Sequence, residues 1–466
     1  MLRIDLGNSW STVTGHDGQE LAWLRQLLSY EEVARGFGGV VKSIQQITLV
    51  EGLRFPSGLL PAVLQRARAL GVGIEYTDRR VRPCEPKQMD IPWLAAPPRG
   101  EFQTAAVAAA LRHGRGVIRA DTGFGKTNCA IALGMLLPCN WVFLVDEIGL
   151  LDQTVERLRK FAGEEAGVIG AGEWRPRRFT VAMYQTLYSP SRAGQLAELQ
   201  AATEGIIPDE CYGLAAPKAY KTVMGFENAY FRVALSATAF DGGRARNMRI
   251  VGATGRCIYD TDLRELAEAG VVVLPEVIMF PFAQPEREYV DYNATYKHRI
   301  VRSNRRNDAL LRIALREEKP GLFFVRQVPH GQAVLEKARK LGLRTEFLWS
   351  SASREERGRV NARVLAGELD LLIANRVYHK GIDNEAIRTI LMGAGGKSAS
   401  ELKQEIGRGM RPQPGKRGLR IYDPLDLGNY TLMSHAWERK SIYEAAKYGV
   451  TLLTTLEELA RIVPAK

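Results

Sequence analysis

Ala120-Asp121-Thr122-Gly123-Phe124-Gly125-Lys126-Thr127 lies between a short apolar run, Gly116 to Arg119, and a helical run that begins at Asn128. Small residues between a strand and a helix let successive backbone N–H groups wrap phosphates, and the helix N-terminus adds a favourable dipole. In such a loop Lys126 reaches the β- and γ-phosphates and the Thr127 hydroxyl coordinates Mg²⁺, with Thr122, Gly123, Phe124 and Gly125 forming the rest of the cradle. ATP and Mg²⁺ are the cofactors this pattern predicts. A glycine-rich turn with no ligand is the bland alternative, and the Gly-Lys-Thr ending in a strand-to-helix setting weighs against it.

The surroundings of this loop repeat its alternation. Apolar runs at Gly116 to Arg119, Trp141 to Val145, Phe179 to Met183 and Phe231 to Leu235 are separated by helical segments. The pattern recurs at Leu322 to Val325, Thr345 to Leu348, Leu369 to Ala374, Thr389 to Met392 and Leu419 to Tyr422. Strands alternating with helices predict parallel sheets flanked by helices, so an α/β fold with two such domains in tandem is expected, over residues 99–262 and 275–466. Residues 1–82 read as a small α+β unit, with an amphipathic helix over Leu59 to Leu70 and a strand over Val72 to Tyr76. Pro83, Pro86, Pro92, Pro97 and Pro98 crowd the stretch 83–98, which reads as a linker.

The length of 466 residues supports two or three compact domains, and 45% hydrophobic with 25% charged residues is a globular balance that argues against long disorder. A formal net charge of +12 favours a polyanionic partner, since each phosphate neutralised releases counterions, although the richness in Ala, Gly and Arg leaves a compositional origin open. Cys84, Cys129, Cys139, Cys211 and Cys257 are scattered, so neither a disulfide framework nor a zinc site is indicated and a reducing compartment is expected. No apolar run approaches a bilayer span and the N-terminus lacks a signal-peptide pattern, so a soluble protein with no membrane partner is expected, cytoplasmic, within a host cell if phage-encoded.

Further motifs follow the phosphate loop in order. They are Asp146-Glu147, Asp209-Glu210, Ser236-Ala237-Thr238, Gly381-Ile382-Asp383 and Gln404-Glu405-Ile406-Gly407-Arg408-Gly409-Met410-Arg411. Hydrolysis of a nucleotide needs an Asp for the metal and a Glu for the attacking water, and either acidic pair could supply them. Taken together, residues 102–412 resemble the superfamily-two helicases, in which two RecA-like domains close over ATP. The resemblance selects Asp209-Glu210, because the pair precedes Ser236-Ala237-Thr238 by the superfamily's usual interval. Asp146-Glu147 opens a helix with Leu150, Gln153 and Thr154 like the superfamily's DNA-contacting motif Ia. Asp209 is then a metal ligand and Glu210 the group that activates water, while Tyr212 stands where the superfamily usually has His.

The same resemblance makes Gln404, Arg408 and Arg411 the set that reaches the γ-phosphate, adds Gly381 and Asp383 to the nucleotide site, and makes Phe102 and Gln103 an adenine contact. For the last pair a buried Phe with an exposed Gln is an equal reading. Gln153, Gln185, Thr186, Arg326 and Gln327 fall at positions that touch the tracked strand's backbone. The run Asn304 to Asn307, with Arg302, Arg305 and Arg306, is either a DNA-path patch or a charged helix start.

Within the superfamily the chain resembles the phage UvsW family of recombination and branch-migration helicases. Leu24-Arg25, Ser29-Tyr30-Glu31, Arg54-Phe55-Pro56, Gly58-Leu59-Leu60, Phe323-Phe324-Val325, His330-Gly331 and the tail from Leu427 to Gly449 carry that likeness. Asp146-Glu147 and Gly36 to Gly39 depart from it. It implies DNA as partner, branched or forked duplex together with single strands, and a small N-terminal DNA-binding domain. Arg35, Lys42, Arg54, Arg66, Arg68, Arg79, Arg80 and Arg82 give that domain a cationic bias suited to phosphate contact, with a solvated surface as the alternative. An RNA helicase or duplex remodeller using the same motor is the first rival. A nucleic-acid-binding protein with an inactive motor is the second.

Overall fold

Runs of β-branched, Leu and aromatic residues bounded by Gly, Pro and polar turns form the strands of two largely parallel sheets in a computed structural model. It describes residues 1–463 apart from 36–40, 122, 241–242, 285–290, 350, 376–384, 397–401, 403–405 and 408. Two compact units divide the chain, residues 1–261 less 122–124, and the remainder.

The first unit opens with β1 (Leu2–Leu6), β2 (Trp10–Gly15), α1 (Gly18–Leu27), β3 (Ser29–Arg35), β4 (Val41–Thr48), β5 (Arg54–Pro56), α2 (Leu60–Leu70) and β6 (Ile74–Asp78). Four of these strands form a sheet in the order β5-β2-β1-β6, and β3 pairs with β4 as an antiparallel ribbon. Asp17 and Glu20 close a reciprocal capping box on α1, which satisfies donors that a helix start otherwise leaves unpaired. Leu2, Ile4 and Leu6 point to one side of β1, the two-residue period of a half-buried strand, and meet Leu24, Phe55, Leu60 and Val63 in a small core. Residues 79–99 then run without helix or strand, as the crowded prolines predict.

The main sheet of this unit is built from α3 (Gly100–His113), β7 (Arg115–Arg119), α4 (Lys126–Leu136), β8 (Trp141–Val145), α5 (Ile148–Ala162), β9 (Gly167–Gly170), β10 (Glu173–Arg175), β11 (Phe179–Met183), α6 (Tyr184–Leu187), α7 (Ala193–Ala202), β12 (Gly205–Pro208), α8 (Pro217–Met224), β13 (Phe231–Ser236), α9 (Arg244–Thr254) and β14 (Cys257–Asp260). Strand order is β10-β9-β11-β8-β12-β13-β7-β14, parallel throughout except at the β10 edge. The central strands β8, β12 and β13 are buried along their whole length, which explains their unbroken apolar reading.

The small core is shared with the main sheet's layer of helices, because Ala245, Met248 and Val251 of α9 pack into it. Gly58 marks how close the approach is: a Cβ there would sit 1.8 Å from the Val251 carbonyl oxygen. Beneath this contact lies Arg232, fully buried, donating to Ala253 O at 2.6 Å, Val223 O at 2.8 Å, Phe226 O at 2.9 Å and Ser9 Oγ at 3.1 Å. Val223 and Ala253 lie in the last turns of α8 and α9, where exposed carbonyls favour a cation. Burial still pushes the guanidinium down to about 9.

The second unit comprises α10 (Leu263–Glu268), β15 (Pro275–Ala283), α11 (Tyr292–Tyr296), α12 (Asn304–Arg316), β16 (Gly321–Phe324), α13 (Val328–Lys340), β17 (Thr345–Leu348), α14 (Arg354–Leu365), β18 (Leu371–Ala374), β19 (Thr389–Leu391), β20 (Leu419–Leu427), α15 (Tyr430–Ala445), β21 (Gly449–Leu452) and α16 (Leu456–Ile462). Its sheet runs β17-β18-β16-β19-β20-β15-β21, all parallel. Two ion pairs sit inside it. Arg306 grips Asp426 at 2.8 Å, and Arg439 grips Asp423 at 2.7 Å with Tyr443 Oη donating to the same carboxylate at 2.8 Å. The run Asn304 to Asn307 is therefore not a DNA-path patch at its C-terminal half: Arg306 is fully buried, and Asn307 Oδ1 accepts from His330 Nε2 at 2.9 Å.

Candidate functional site

Parallel strands place every strand-to-helix loop of one kind on the same edge of a sheet. Ala120 after β7, Asp146 after β8, Gln185 after β11, Asp209 after β12 and Ser236 at the end of β13 consequently share the carboxyl edge of the first unit's sheet. Gly123 and Gly125 adopt φ of +96° and +94°, which only glycine takes up without strain. Gly125 is also crowded: a Cβ would lie 2.2 Å from Gln103 Nε2. The loop hands over directly to α4, whose first residues are Lys126 and Thr127, and Lys126 Nζ donates to Ala120 O at 2.9 Å.

The two acidic pairs end adjacent strands. β12 pairs with β8 in the register Pro208 opposite Leu144, and Asp209 N donates to Leu144 O at 2.9 Å. Asp209-Glu210 is connected to the phosphate loop by hydrogen bonds. Ser236 Oγ donates to Glu210 Oε2 at 3.2 Å, Thr238 N donates to Ser236 Oγ at 3.0 Å, and Ala120 N donates to Ser236 O at 3.1 Å. Glu210 thus touches the strand that borders β7. Asp146 instead accepts at its carbonyl from Gln185 Nε2 at 3.0 Å, and Glu147 occupies the N-cap position of α5.

Glu210 has φ +45°, a left-handed conformation that a side chain carries at a cost of about 1–3 kcal/mol, so the surrounding turn fixes it. Glu210 N donates to Asp209 Oδ1 at 3.0 Å, and Tyr212 follows half-buried in the next tight turn. Burial first, and the neighbouring Glu210 charge second, hold the Asp209 carboxyl above the usual carboxylate range, with Lys126 opposing them. Among the described residues no three His, Cys, Asp or Glu side chains cluster as a metal cage. The Asp209 carboxylate and the Thr127 hydroxyl are oxygen donors of the kind Mg²⁺ takes together with substrate phosphates, so the donors present fit the group.

In the second unit Arg411 is half-buried just beyond Ile406 and Met410, whose side chains are buried. Gly381, Asp383, Gln404 and Arg408, like Thr122 of the phosphate loop, lie outside the described residues. One residue that sequence reasoning missed ties their neighbourhoods together. Lys416 Nζ donates to Glu385 O at 2.9 Å and also to Gly409 O, bridging Glu385 to the residue two positions before Arg411. Burial, then the charge of Arg388, push the ammonium down to about 8. The one signal available was its place in the turn Gln413-Pro-Gly-Lys416, which Lys416 N closes on Gln413 O at 2.9 Å.

The remaining candidates are distributed as follows. Gln103 is buried against Gly125 and Phe102 half-buried, the reverse of the buried-Phe alternative. Gln153 is half-buried on α5 and Thr186 half-buried on α6. Arg326 and Gln327 are exposed beyond β16. Arg54 lies over the Trp10 ring at 5.2 Å and 3.9 Å from the Glu227 carboxylate, so it faces the main sheet's helices rather than open solvent alone.

Two family models match the chain. That described as the res subunit of type III restriction enzymes covers residues 100–241, and that described as the helicase conserved C-terminal domain covers residues 305–413. The chain belongs to the superfamily-two helicases. This superfamily-two chain is 26% identical over 340 residues to helicase 22 of the Sulfolobus islandicus filamentous virus, a match covering 66% of it and 60% of that relative. It is 29% identical over 168 residues to the DNA 3'-5' translocase XPB2 of Sulfurisphaera tokodaii, 36% of each. To the ATP-dependent DNA helicase uvsW of Enterobacteria phage T4 it is 22% identical over 244 residues, covering 50% and 48%. It therefore spans 60%, 36% and 48% of the lengths of these three relatives.

Solved structures share the superfamily-two fold. The ATP-dependent type ISP restriction-modification enzyme LlaBIII bound to DNA aligns with 84% of this chain and 34% of its own, at TM-score 0.56 and 14% identity. S. cerevisiae Dbp5 bound to RNA and ADP BeF3 aligns with 79% and 96%, at TM-score 0.52 and 15% identity. Both support an α/β fold of two RecA-like domains. Among the described residues no helix is long and apolar enough to cross a membrane.

Proposed function

We propose that this chain hydrolyses ATP to move along DNA, and that its substrates are branched or forked duplexes. The observation that carries the reading is the path of hydrogen bonds from Ala120 through Ser236 to Glu210, which links the phosphate loop to Asp209-Glu210. When bound, ATP with Mg²⁺ supplies the phosphoryl group and the charge that neutralises it. Lys126 and the N–H groups at the start of α4 hold the phosphates, and Thr127 and Asp209 hold the metal. Glu210 accepts a proton from the attacking water at its carboxylate, oriented by Ser236. Arg408 and Arg411 donate to charge that develops during transfer, with Gln404 beside them. Gly381 and Asp383 belong to the same nucleotide site, and Phe102 and Gln103 to the adenine end.

DNA is favoured over RNA by the likeness to the DNA translocase XPB2 and the DNA helicase uvsW, and branched DNA by the resemblance of the N-terminal segments to the UvsW family. Gln153, Gln185, Thr186, Arg326 and Gln327 contact the tracked strand in this reading, and Arg54 contributes to the duplex-facing surface. The test is ATP turnover with no nucleic acid, single-stranded DNA, linear duplex, a four-way junction and structured RNA, at fixed salt. Strongest stimulation by the junction supports the proposal. Stimulation by RNA alone replaces it with an RNA remodeller, and absence of turnover with an inactive motor.

A further inference from the structure

Residues 79–99, between β6 and α3, are pinned to the main sheet's layer at points that have no role in nucleotide chemistry. The Arg82 guanidinium lies over the Phe231 ring at 5.6 Å and its Nε donates to Cys84 O at 3.1 Å. Lys87 N donates to Leu136 O, the last residue of α4, at 2.7 Å. Three residues back from Lys87 is Cys84, and three residues on from Leu136 is Cys139. Arg82 meets Phe231, whose ring stacks on Trp141 at 5.7 Å, while Lys87 meets Leu136, so the two segments pass in opposite directions and bring Cys84 beside Cys139. Cys84 is half-buried and Cys139 buried, whereas Cys129 and Cys211 are buried elsewhere and Cys257 is half-buried at the β14 edge.

We propose that Cys84 and Cys139 are a redox-active dithiol pair whose disulfide fastens the segment after the N-terminal elements to the end of the phosphate-loop helix. With a disulfide oxidant such as oxidised glutathione, the half-buried Cys84 thiolate attacks one sulfur, forming a mixed disulfide and expelling one glutathione thiolate. The Cys139 thiolate then attacks the Cys84 sulfur, closing the Cys84–Cys139 bond and expelling the glutathione thiolate that remained. Two cysteine protons are lost and the oxidant is reduced to two glutathiones, so atoms and electrons balance. Burial holds both thiols above the ordinary cysteine range, and the Glu204 carboxylate adds to it, so closure is slow at neutral pH and quickens as pH rises.

The contact has a direct consequence for stability. A link between residues 84 and 139 closes a long loop of the unfolded chain, and loops of that length give disulfides their largest stabilising effect. The full chain is incubated with oxidised glutathione at pH 9, its remaining thiols are blocked, and its peptides are mapped without reduction, alongside Cys84→Ser and Cys139→Ser. A peptide pair linking Cys84 to Cys139 in the parent alone, with a melting temperature several degrees above that of the reduced protein, is the expected result. A stable glutathione adduct on Cys84, both thiols left free while Cys257 reacts, or a linked protein that melts no higher than the reduced one overturns the proposal.

Discussion

Ser236 donates its hydroxyl to the Glu210 carboxylate at 3.2 Å and offers its carbonyl to Ala120 N at 3.1 Å, so one residue of β13 holds both the side chain proposed to activate water and the first residue of the phosphate loop. A hydrogen bond to a charged group contributes about 1.5–3 kcal/mol. If about half of that acts in the transition state, Ser236→Ala lowers kcat for ATP about tenfold, since about 1.4 kcal/mol is a factor of ten. KM for ATP changes little, because the phosphate loop is untouched. Steady-state ATP turnover checks this, and an unchanged kcat removes Ser236 from the mechanism.

Asp209 carries a second consequence. Its carboxyl is held above the usual range, near 3.9, by burial and by Glu210, so a proton must leave before the side chain binds metal. Mg²⁺ affinity of the nucleotide-free protein is expected to fall on acidification at a pH well above the ordinary carboxylate range. Calorimetric titration in two buffers of different ionisation enthalpy reads the released proton directly. Asp209→Asn is expected to abolish both the pH dependence and the proton release.

Lys416 joins Glu385 O and Gly409 O through a single ammonium. Lys416→Met leaves the part-buried Gly409 carbonyl and the exposed Glu385 carbonyl without this donor and is expected to destabilise the second unit by about 1–2 kcal/mol. ATP turnover is expected to fall with it, because the chain leading into Arg411 loses its tether. Denaturant titration with turnover on the same samples measures both, and Lys416→Arg is expected to recover part of each.

His330 makes the second unit acid-sensitive. Burial first and the Arg306 charge second push its imidazole down to about 3, while in the unfolded chain it titrates near 6.5. The folded pKa lies below the unfolded one, so the contribution of neutral His330 is complete above about pH 6.5 and is lost as pH falls from there towards 3. At pH 5 the loss amounts to about 2 kcal/mol. His330→Gln, which keeps a donor for Asn307, is expected to narrow the gap between denaturation midpoints at pH 7.5 and pH 5.

The strands of both sheets were legible where they are buried on both faces. Trp141–Val145, Phe179–Met183 and Thr345–Leu348 coincide with their apolar runs. Three edge strands were not: β10, β14 and β21 are short and partly exposed, so they carry no continuous apolar run. Asp209-Glu210 could be preferred from its interval to Ser236, but its hydrogen-bonded link to that residue belongs to strand order, which no local pattern encodes. Arg306 and Lys416 show the opposite limit. A run of Arg and Asn in sequence gives no sign that one guanidinium is paired inside the core with Asp426, 120 positions away, or that one ammonium closes over two main-chain carbonyls.

Gly58, Ser9 and the apolar face of α9 form a close joint, and such a joint limits how the chain can be cut. A protein begun at residue 83 would uncover Ala245, Met248 and Val251 and remove the Ser9 hydroxyl from a guanidinium sealed under two helix ends. The N-terminal elements are thus no detachable adaptor. Any change in what they bind has to evolve on their outer surface, with the inner one fixed by the motor.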